Sequence, residues 1–434
     1  MIKNKFIKST VILLIGGFVS KLMAMVIRIV LSRKIGTEGL GLYMMVLPTF
    51  GLFITLSNLG LPLAVSKLVS EGRKNNKKLV LSLVPLILIF NIFLMIVIIL
   101  ISPFISRVLL KNDLLLYPIM AIGLTLPFIT ISDILRGYFF GKERMWPYTI
   151  SNNGEQLIRL LLVIFLIPYL LRFSVEKAVT GVVLINIISE GISIIILLLF
   201  TPKVSISKDD FIYNKYITKE ALSIGIPSTS SRLIGTIGSF LEPIIITFVL
   251  LKVGYQTNYI TMEYGIINGY VLPLLLLPSF FSYAISNALL PVISNAYANG
   301  HKKRAKTKLN QAIFISLLIG IPISLIFIFI PQIPLSIIYK TNLGINYIKV
   351  IAPFFLMHYI QAPLTSTLQA MGKSKCAMWG TLIGTILRSV ILFVISLFKV
   401  GMWGLIIAII SNIVFTTLHH LYYVYKYLKE KGEI

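Results

Sequence analysis

Residues 83–101 read LVPLILIFNIFLMIVIILI. A helix of this length rises about 28 Å at 1.5 Å per residue, close to the roughly 30 Å of a bilayer's hydrocarbon. The helix of a soluble bundle would show a polar face at a period of 3.6 residues, and this run has none. A β-barrel strand would be shorter and would alternate polar with apolar residues. The stretch therefore reads as a membrane-spanning helix.

The rest of the chain repeats the pattern. Of 434 residues, 57% are hydrophobic and only 13% charged, against about 25% charged in soluble domains. Apolar runs occur at 10–32, 40–66, 79–102, 114–140, 149–171, 178–200, 220–250, 263–292, 309–330, 344–370, 377–398 and 403–425. We expect an all-α polytopic membrane protein of about 12 transmembrane helices. The first run is too long for a cleavable signal and has no small-residue cleavage site, so it is expected to stay.

Loop charge sets the expected orientation, because Lys and Arg collect on the cytoplasmic side. With the N-terminus inside, the inner segments hold 24 of the 40 Lys and Arg residues. They include Lys3, Lys5 and Lys8, the group Lys67 to Lys78, and the run HKKRAKTK (301–308). Both termini are thus expected in the cytoplasm. The net charge of +25 would suggest nucleic acid in a soluble domain; here topology accounts for most of it, and no nucleic-acid partner is expected.

The segment TPKVSISKDDFIYNKYITK (201–219) divides six apolar runs from six. The expected organisation is an N-terminal six-helix bundle over 1–200, a cytoplasmic linker over 201–219, a C-terminal six-helix bundle over 220–425 and a cytoplasmic tail over 426–434. Similar events recur in each half. Leu61-Pro62, Ser66 and Gly72 precede one basic loop, as Leu290-Pro291, Ser294 and Gly300 precede another. GKERMW (141–146) and GKSKCAMW (372–379) each open a run containing one arginine, Arg159 or Arg388. Duplicated halves are the usual construction of secondary transporters, with substrate near the midplane.

Ionisable residues inside such runs are expensive, and they mark a pathway or a pair. In GGFVSKLMAMVIRIVLSRK (16–34), Lys21 and Arg28 are seven apart and so share a helix face. Arg232, in GIPSTSSRLIGTIGSFLEP (225–243), is the corresponding cation of the second half. None of the three has an acid within a turn of its own helix. Together with Arg388 they form the expected substrate-binding set, and a guanidinium fork with a lysine point charge suits phosphate. Glu155 with Arg159, four apart, and Asp133 with Arg136, three apart, are expected to pair locally. Glu190 and Glu242 complete the group of structural or coupling charges.

Other chemistries find no support. There is no GxxxxGK[ST] phosphate loop, HExxH or GxSxG motif, so no catalytic residue is expected. Cys376 is the single cysteine, which excludes an intramolecular disulfide and any cysteine-based metal or redox motif. The adjacent pair His419 and His420 is expected at a membrane interface rather than as ligands. No metal or cofactor is expected beyond a coupling ion of unidentified kind.

The segment KLMAMVIRIVLSRKIGTEGLGLYMMVLPTFGLFITLSNLGLPLAVSKLVSEG (21–72) resembles the opening of the stage V sporulation protein B group of polysaccharide exporters. ILRGYFFGKERMWPYTISNNGEQLIRL (134–160), GIPSTSSRLIGTIGSFLEPIII (225–246) and NALLPVISNAYANG (287–300) resemble later segments of that group. The group lies in the multidrug/oligosaccharidyl-lipid/polysaccharide (MOP) superfamily, with lipid II flippases and the multidrug and toxin extrusion (MATE) antiporters. The resemblance implies two six-helix bundles in a V shape, alternating access, and a flippase of the bacterial cytoplasmic membrane. Its cargo would be an undecaprenyl-linked saccharide pyrophosphate, either the peptidoglycan precursor lipid II or a spore or cell-envelope polysaccharide precursor. In lipid II flippases the cavity is cationic with essential arginines on the first span, a feature that Arg28 matches. Membrane lipids and envelope-synthesis proteins are the implied partners. Two other readings stay open: an organic-cation antiporter of the same superfamily, for which buried carboxylates would be the sites, and a non-transporting scaffold for envelope synthesis.

Overall fold

The computed structural model describes residues 2–72, 75–202, 210 and 213–429. Arg73, Lys74 and residues 203–209 and 211–212 of the linker lie outside the described residues, as do 430–434 of the tail and the side chains of Lys3, Lys5 and Lys8. Helix is the only regular structure among the described residues. In the first half the helices are α1 (Ile2–Asn58), α2 (Leu61–Glu71), α3 (Asn76–Pro103), α4 (Leu116–Gly141), α5 (Met145–Leu171), α6 (Val175–Phe200) and α7 (Lys215–Lys252). The second half has α8 (Thr257–Ile266), α9 (Leu272–Leu275), α10 (Ser279–Ala298), α11 (Lys302–Phe329), α12 (Gln332–Tyr339), α13 (Ile345–Ala370), α14 (Ser374–Ser396) and α15 (Trp403–Leu428).

All twelve apolar runs fall on helices, though fewer than twelve helices qualify as spans by length and composition. Nine helices among the described residues are long and apolar enough to cross a membrane, or ten if the bent pair Thr257–Leu275 and Ser279–Ala298 is one span. Two causes are visible. The first two runs lie on one continuous helical stretch, Ile15–Glu71, which passes as a single unit; it is broken at Gly36, where φ 68° and ψ −178° are accessible only to glycine. Helix α13 carries Lys349, His358, Gln361 and Gln369 and is too polar to qualify by composition.

The run at 83–101 shows why it lacks a polar face. Leu83, Ile87, Leu94 and Ile98 are buried against neighbouring helices, while Ile89, Phe93 and Leu100 are 58–72% exposed. Both sides of α3 thus need apolar residues, one for packing and one for lipid. Asn91 is the polar exception; it is buried, donates to the Ile87 carbonyl at 2.9 Å and accepts from Thr130 at 3.3 Å.

The chain forms two compact units, Met1–Pro243 and Ile244–Ile434. The first extends past the linker because Ile217 and Ala221 of α7 join a core with Leu61, Leu68, Leu83 and Ile134. The second has its own core around Leu289, Ile293, Leu309, Leu364 and Val424.

Close backbone approaches in the first unit fix the helices that carry the charges. A Cβ on Gly137 of α4 would lie 2.4 Å from the Pro62 carbonyl oxygen, and one on Gly141 2.4 Å from that of Ser66. The GxxxG spacing therefore lets α2 lie directly on α4, as small residues do between membrane helices. Gly60, at φ 67°, and Gly225 touch in the same way: a Cβ on Gly60 would lie 2.2 Å from the Gly225 oxygen. This contact holds α7 beside the α1–α2 turn, two helical turns before Arg232.

Candidate functional site

The local spacing of the acids and arginines is the starting point of a larger network in the first unit. Arg136 on α4 bonds Asp133 Oδ1 at 3.1 Å on its own helix. Its other terminal nitrogen donates to Glu155 Oε2 on α5 at 2.7 Å, and to Glu190 Oε2 and Ser193 Oγ on α6 at 3.2 and 2.9 Å. Arg159 pairs with the second oxygen of Glu155. Asp133 Oδ2 accepts from Asn58 Nδ2 of α1 at 3.0 Å, and Ser193 bonds Ser132 at 3.0 Å. One guanidinium thus joins three carboxylates from three helices, in a region where Glu155 and Glu190 are almost wholly buried.

Spacing along one helix predicts Asp133 with Arg136 and Glu155 with Arg159. The convergence on Glu190 needs tertiary packing. Asn58, Ser132 and Ser193 belong to the same network and were missed; Ser132 is four residues before Arg136 and Ser193 three after Glu190, helical spacings that put each beside a charge.

Beside this network lies a cavity of about 410 Å³ within the first unit. Asp133, Arg136, Asn58 and Asn152 contribute to its polar wall, and Arg232 enters it from α7 next to Thr229. Arg232 is exposed and makes no ion pair among the described residues. Asn152 in turn donates to Ser20 Oγ at 2.8 Å, which ties α5 to α1 one residue before Lys21.

Lys21 and Arg28 are exposed on α1 and are not part of that cavity's lining. Glu242 is buried on α7 at the end of the first unit, and Arg388 is half-buried on α14 in the second. The structure therefore brings Arg232 together with Asp133 and Arg136.

The second unit holds a cavity of another kind, about 360 Å³, among α10, α13, α14 and α15. Among the described residues no Lys, Arg, Asp or Glu lines it. One of its wall residues corrects the interfacial reading of the histidine pair. His420 is 1% exposed, with Nδ1 bonded to Thr365 Oγ1 at 3.1 Å and Nε2 to the Ala377 carbonyl at 3.1 Å. Neighbouring residues on a helix point about 100° apart, so His419 instead meets Tyr423 and Phe415.

Comparison with known proteins places this architecture. Residues 6–297 match the family described as polysaccharide biosynthesis protein, and residues 268–394 match the MatE family. Stage V sporulation protein B of Bacillus subtilis (strain 168) is 36% identical over 438 residues, covering 97% of this chain and 83% of that protein. Lipid II flippase MurJ of the same organism is 22% identical over 418 residues, 89% of this chain and 77% of its own. Among solved structures, lipid II flippase MurJ in an inward closed conformation has the same fold, with a TM-score of 0.72 at 15% identity over 95% of this chain and 87% of the other. The chain belongs to the polysaccharide biosynthesis protein family.

Proposed function

We propose that the protein flips an undecaprenyl-linked saccharide across the bacterial cytoplasmic membrane by alternating access, with both termini in the cytoplasm. The cargo is the peptidoglycan precursor lipid II or a related spore or cell-envelope precursor. The observation that carries this reading is Arg232. It stands in the first-unit cavity without an ion pair among the described residues, beside an Arg136 whose charge is already met by carboxylates.

A pyrophosphate entering the cavity would meet the Arg232 fork directly, and a guanidinium–phosphate pair makes charge-assisted, bidentate hydrogen bonds. Lys21 and Arg28 form the approach along α1, and Arg388 is the proposed substrate-binding cation of the second unit. The organic-cation reading needs carboxylates open to a cavity. Asp133 is the acid on this wall, and it is held by Arg136 and Asn58. Glu155 and Glu190 are held by Arg136, and Glu155 by Arg159 as well. A difference in affinity between the two states can bias the cycle, but net transport needs a source such as the membrane potential, an ion gradient or downstream consumption of the cargo.

Purified protein in liposomes, given defined undecaprenyl-linked precursors, tests the proposal. Wild type should translocate them. Arg232→Ala should lose most of that rate at unchanged abundance, since a lost charged hydrogen bond of about 1.5–3 kcal/mol corresponds to roughly ten- to a hundredfold in affinity. Export of organic cations without precursor translocation would overturn it.

A further inference from the structure

We propose that the second-unit cavity is a binding subsite for the uncharged, polyhydroxyl part of the cargo, its sugar. The inference rests on the flippase reading above and names what a separate part of the protein recognises.

The wall is built for neutral hydrogen bonding. Each of the four helices sends a stripe of polar side chains to it at helical spacing. Ser279, Ser282 and Ser286 come from α10, Gln361, Thr365 and Gln369 from α13, Thr381 and Thr385 from α14, and Asn412, Thr416 and His420 from α15. Spacings of three and four put each set on one helix face. Four faces thus converge on one void, which at about 360 Å³ lies at the lower end of the range of small-molecule sites, ~300–1,000 Å³.

Part of the wall is already satisfied internally. Gln361 donates to the Ile413 carbonyl and to Thr417, and His420 is held on both nitrogens. Other groups are left over. Ser279 Oγ and Thr416 Oγ1 are buried and have no hydrogen-bond partner among the described residues, in residues only 4% and 6% exposed. Buried hydroxyls without partners are uncommon and costly, and here both sit at the lining of one cavity.

The chemistry of the wall selects the ligand class. A phosphate or a carboxylate would want Lys or Arg, and an organic cation would want Asp or Glu; neither type is present. An acyl chain would leave the buried Ser279 and Thr416 hydroxyls unpaired, at a cost of about 1–3 kcal/mol each. A saccharide offers donors and acceptors in the same density as this wall, and an apolar ring face for Tyr283, which also lines it.

Two lipids distinguish this subsite from the pyrophosphate site. The full-length protein in nanodiscs is titrated with undecaprenyl pyrophosphate and with undecaprenyl pyrophosphate bearing a neutral disaccharide. Wild type should bind the disaccharide lipid at least tenfold more tightly. Asn412→Leu and Thr416→Val, near-isosteric changes that remove polar atoms, should each narrow that ratio about two- to tenfold. Affinity for the sugar-free lipid should stay as in wild type. Arg232→Ala should weaken both lipids and leave the ratio alone. A wild-type ratio near one, or a ratio that both cavity variants keep, overturns the subsite and leaves the flippase reading standing. Failure of wild type to bind either lipid refutes that reading, and the subsite with it. Thr416→Val also gives a readout of folding: it removes an unpartnered hydroxyl, so its thermal stability should equal or exceed wild type.

Discussion

Replacing Arg136 by Met keeps an unbranched stem and removes the guanidinium whose charge holds three carboxylates. In the wild type Arg136 meets Asp133 at 3.1 Å, Glu155 at 2.7 Å and Glu190 at 3.2 Å, and its side chain is 12% exposed. Glu155 keeps Arg159, but Glu190 loses its arginine while only 6% exposed. Removing one partner of a buried pair costs about 3–5 kcal/mol because a charge is left uncompensated. We expect Arg136→Met to fall in that range and Glu190→Gln, which removes a carboxylate and keeps the amide oxygen as an acceptor, to cost less. The double variant Arg136→Met/Glu190→Gln should recover part of the loss, with a coupling of about 0.5–3 kcal/mol, the range found for residues in one network. Unfolding in mixed micelles, followed by the fluorescence of the three tryptophans, measures all four species of the cycle. A single variant within ~0.5 kcal/mol of wild type, or a double variant equal to the sum of the singles, would refute the account of the cluster as one buried network.

Two further outcomes follow from the packing and from the topology. Gly137→Leu drives a side chain into the Pro62 carbonyl, where a Cβ alone would be at 2.4 Å; it should cost about 1–3 kcal/mol or more as overpacking, whereas Gly17→Leu, with nothing within 4 Å of its Cβ, should be tolerated, and detergent-extract stability compares the two. Cys376, the single thiol, lies in the first turn of α14 and should react with a membrane-impermeant maleimide in inverted vesicles and stay unlabelled in intact cells, since the proposed orientation puts that helix end inside; labelling from outside alone would reverse that orientation.

Which parts of the site are legible in the sequence depends on how far the interaction reaches along the chain. Asp133 with Arg136 and Glu155 with Arg159 are separated by one turn, and helix geometry alone brings such residues together. Arg136 with Glu155 and Glu190 spans 19 and 54 residues and depends on three helices packing together. Arg232 is legible as an unusual cation but not as a neighbour of Asp133. The closeness of α7 to the α1–α2 turn comes from the contact of Gly60 with Gly225, and two glycines 165 residues apart carry no mark of meeting. The number of spans is obscured for a related reason. Composition detects apolar length but not a single glycine dihedral, so the break at Gly36 does not separate two runs by that test.

The neutral cavity was illegible for a different physical reason. A charge in an apolar run needs an explanation at once, but a Ser or Thr does not, because its hydroxyl can satisfy itself on a carbonyl one turn back in its own helix. Thr365, Thr381, Thr385 and Ser286 do this here, each donating to the residue four before it. The same letters in the same spacing therefore describe an inert helix face or a ligand-binding one. What separates the two is whether neighbouring helices turn their stripes to a common void, and whether any hydroxyl then goes unused. Around the second-unit cavity four stripes converge, and Ser279 and Thr416 carry buried hydroxyls without a bond among the described residues. Those two residues are therefore where a self-satisfied helix face and a binding wall make different demands. If the face is inert, removing the Thr416 hydroxyl changes stability alone; if it is a wall, the same change also alters the discrimination between a sugar-bearing lipid and a bare one.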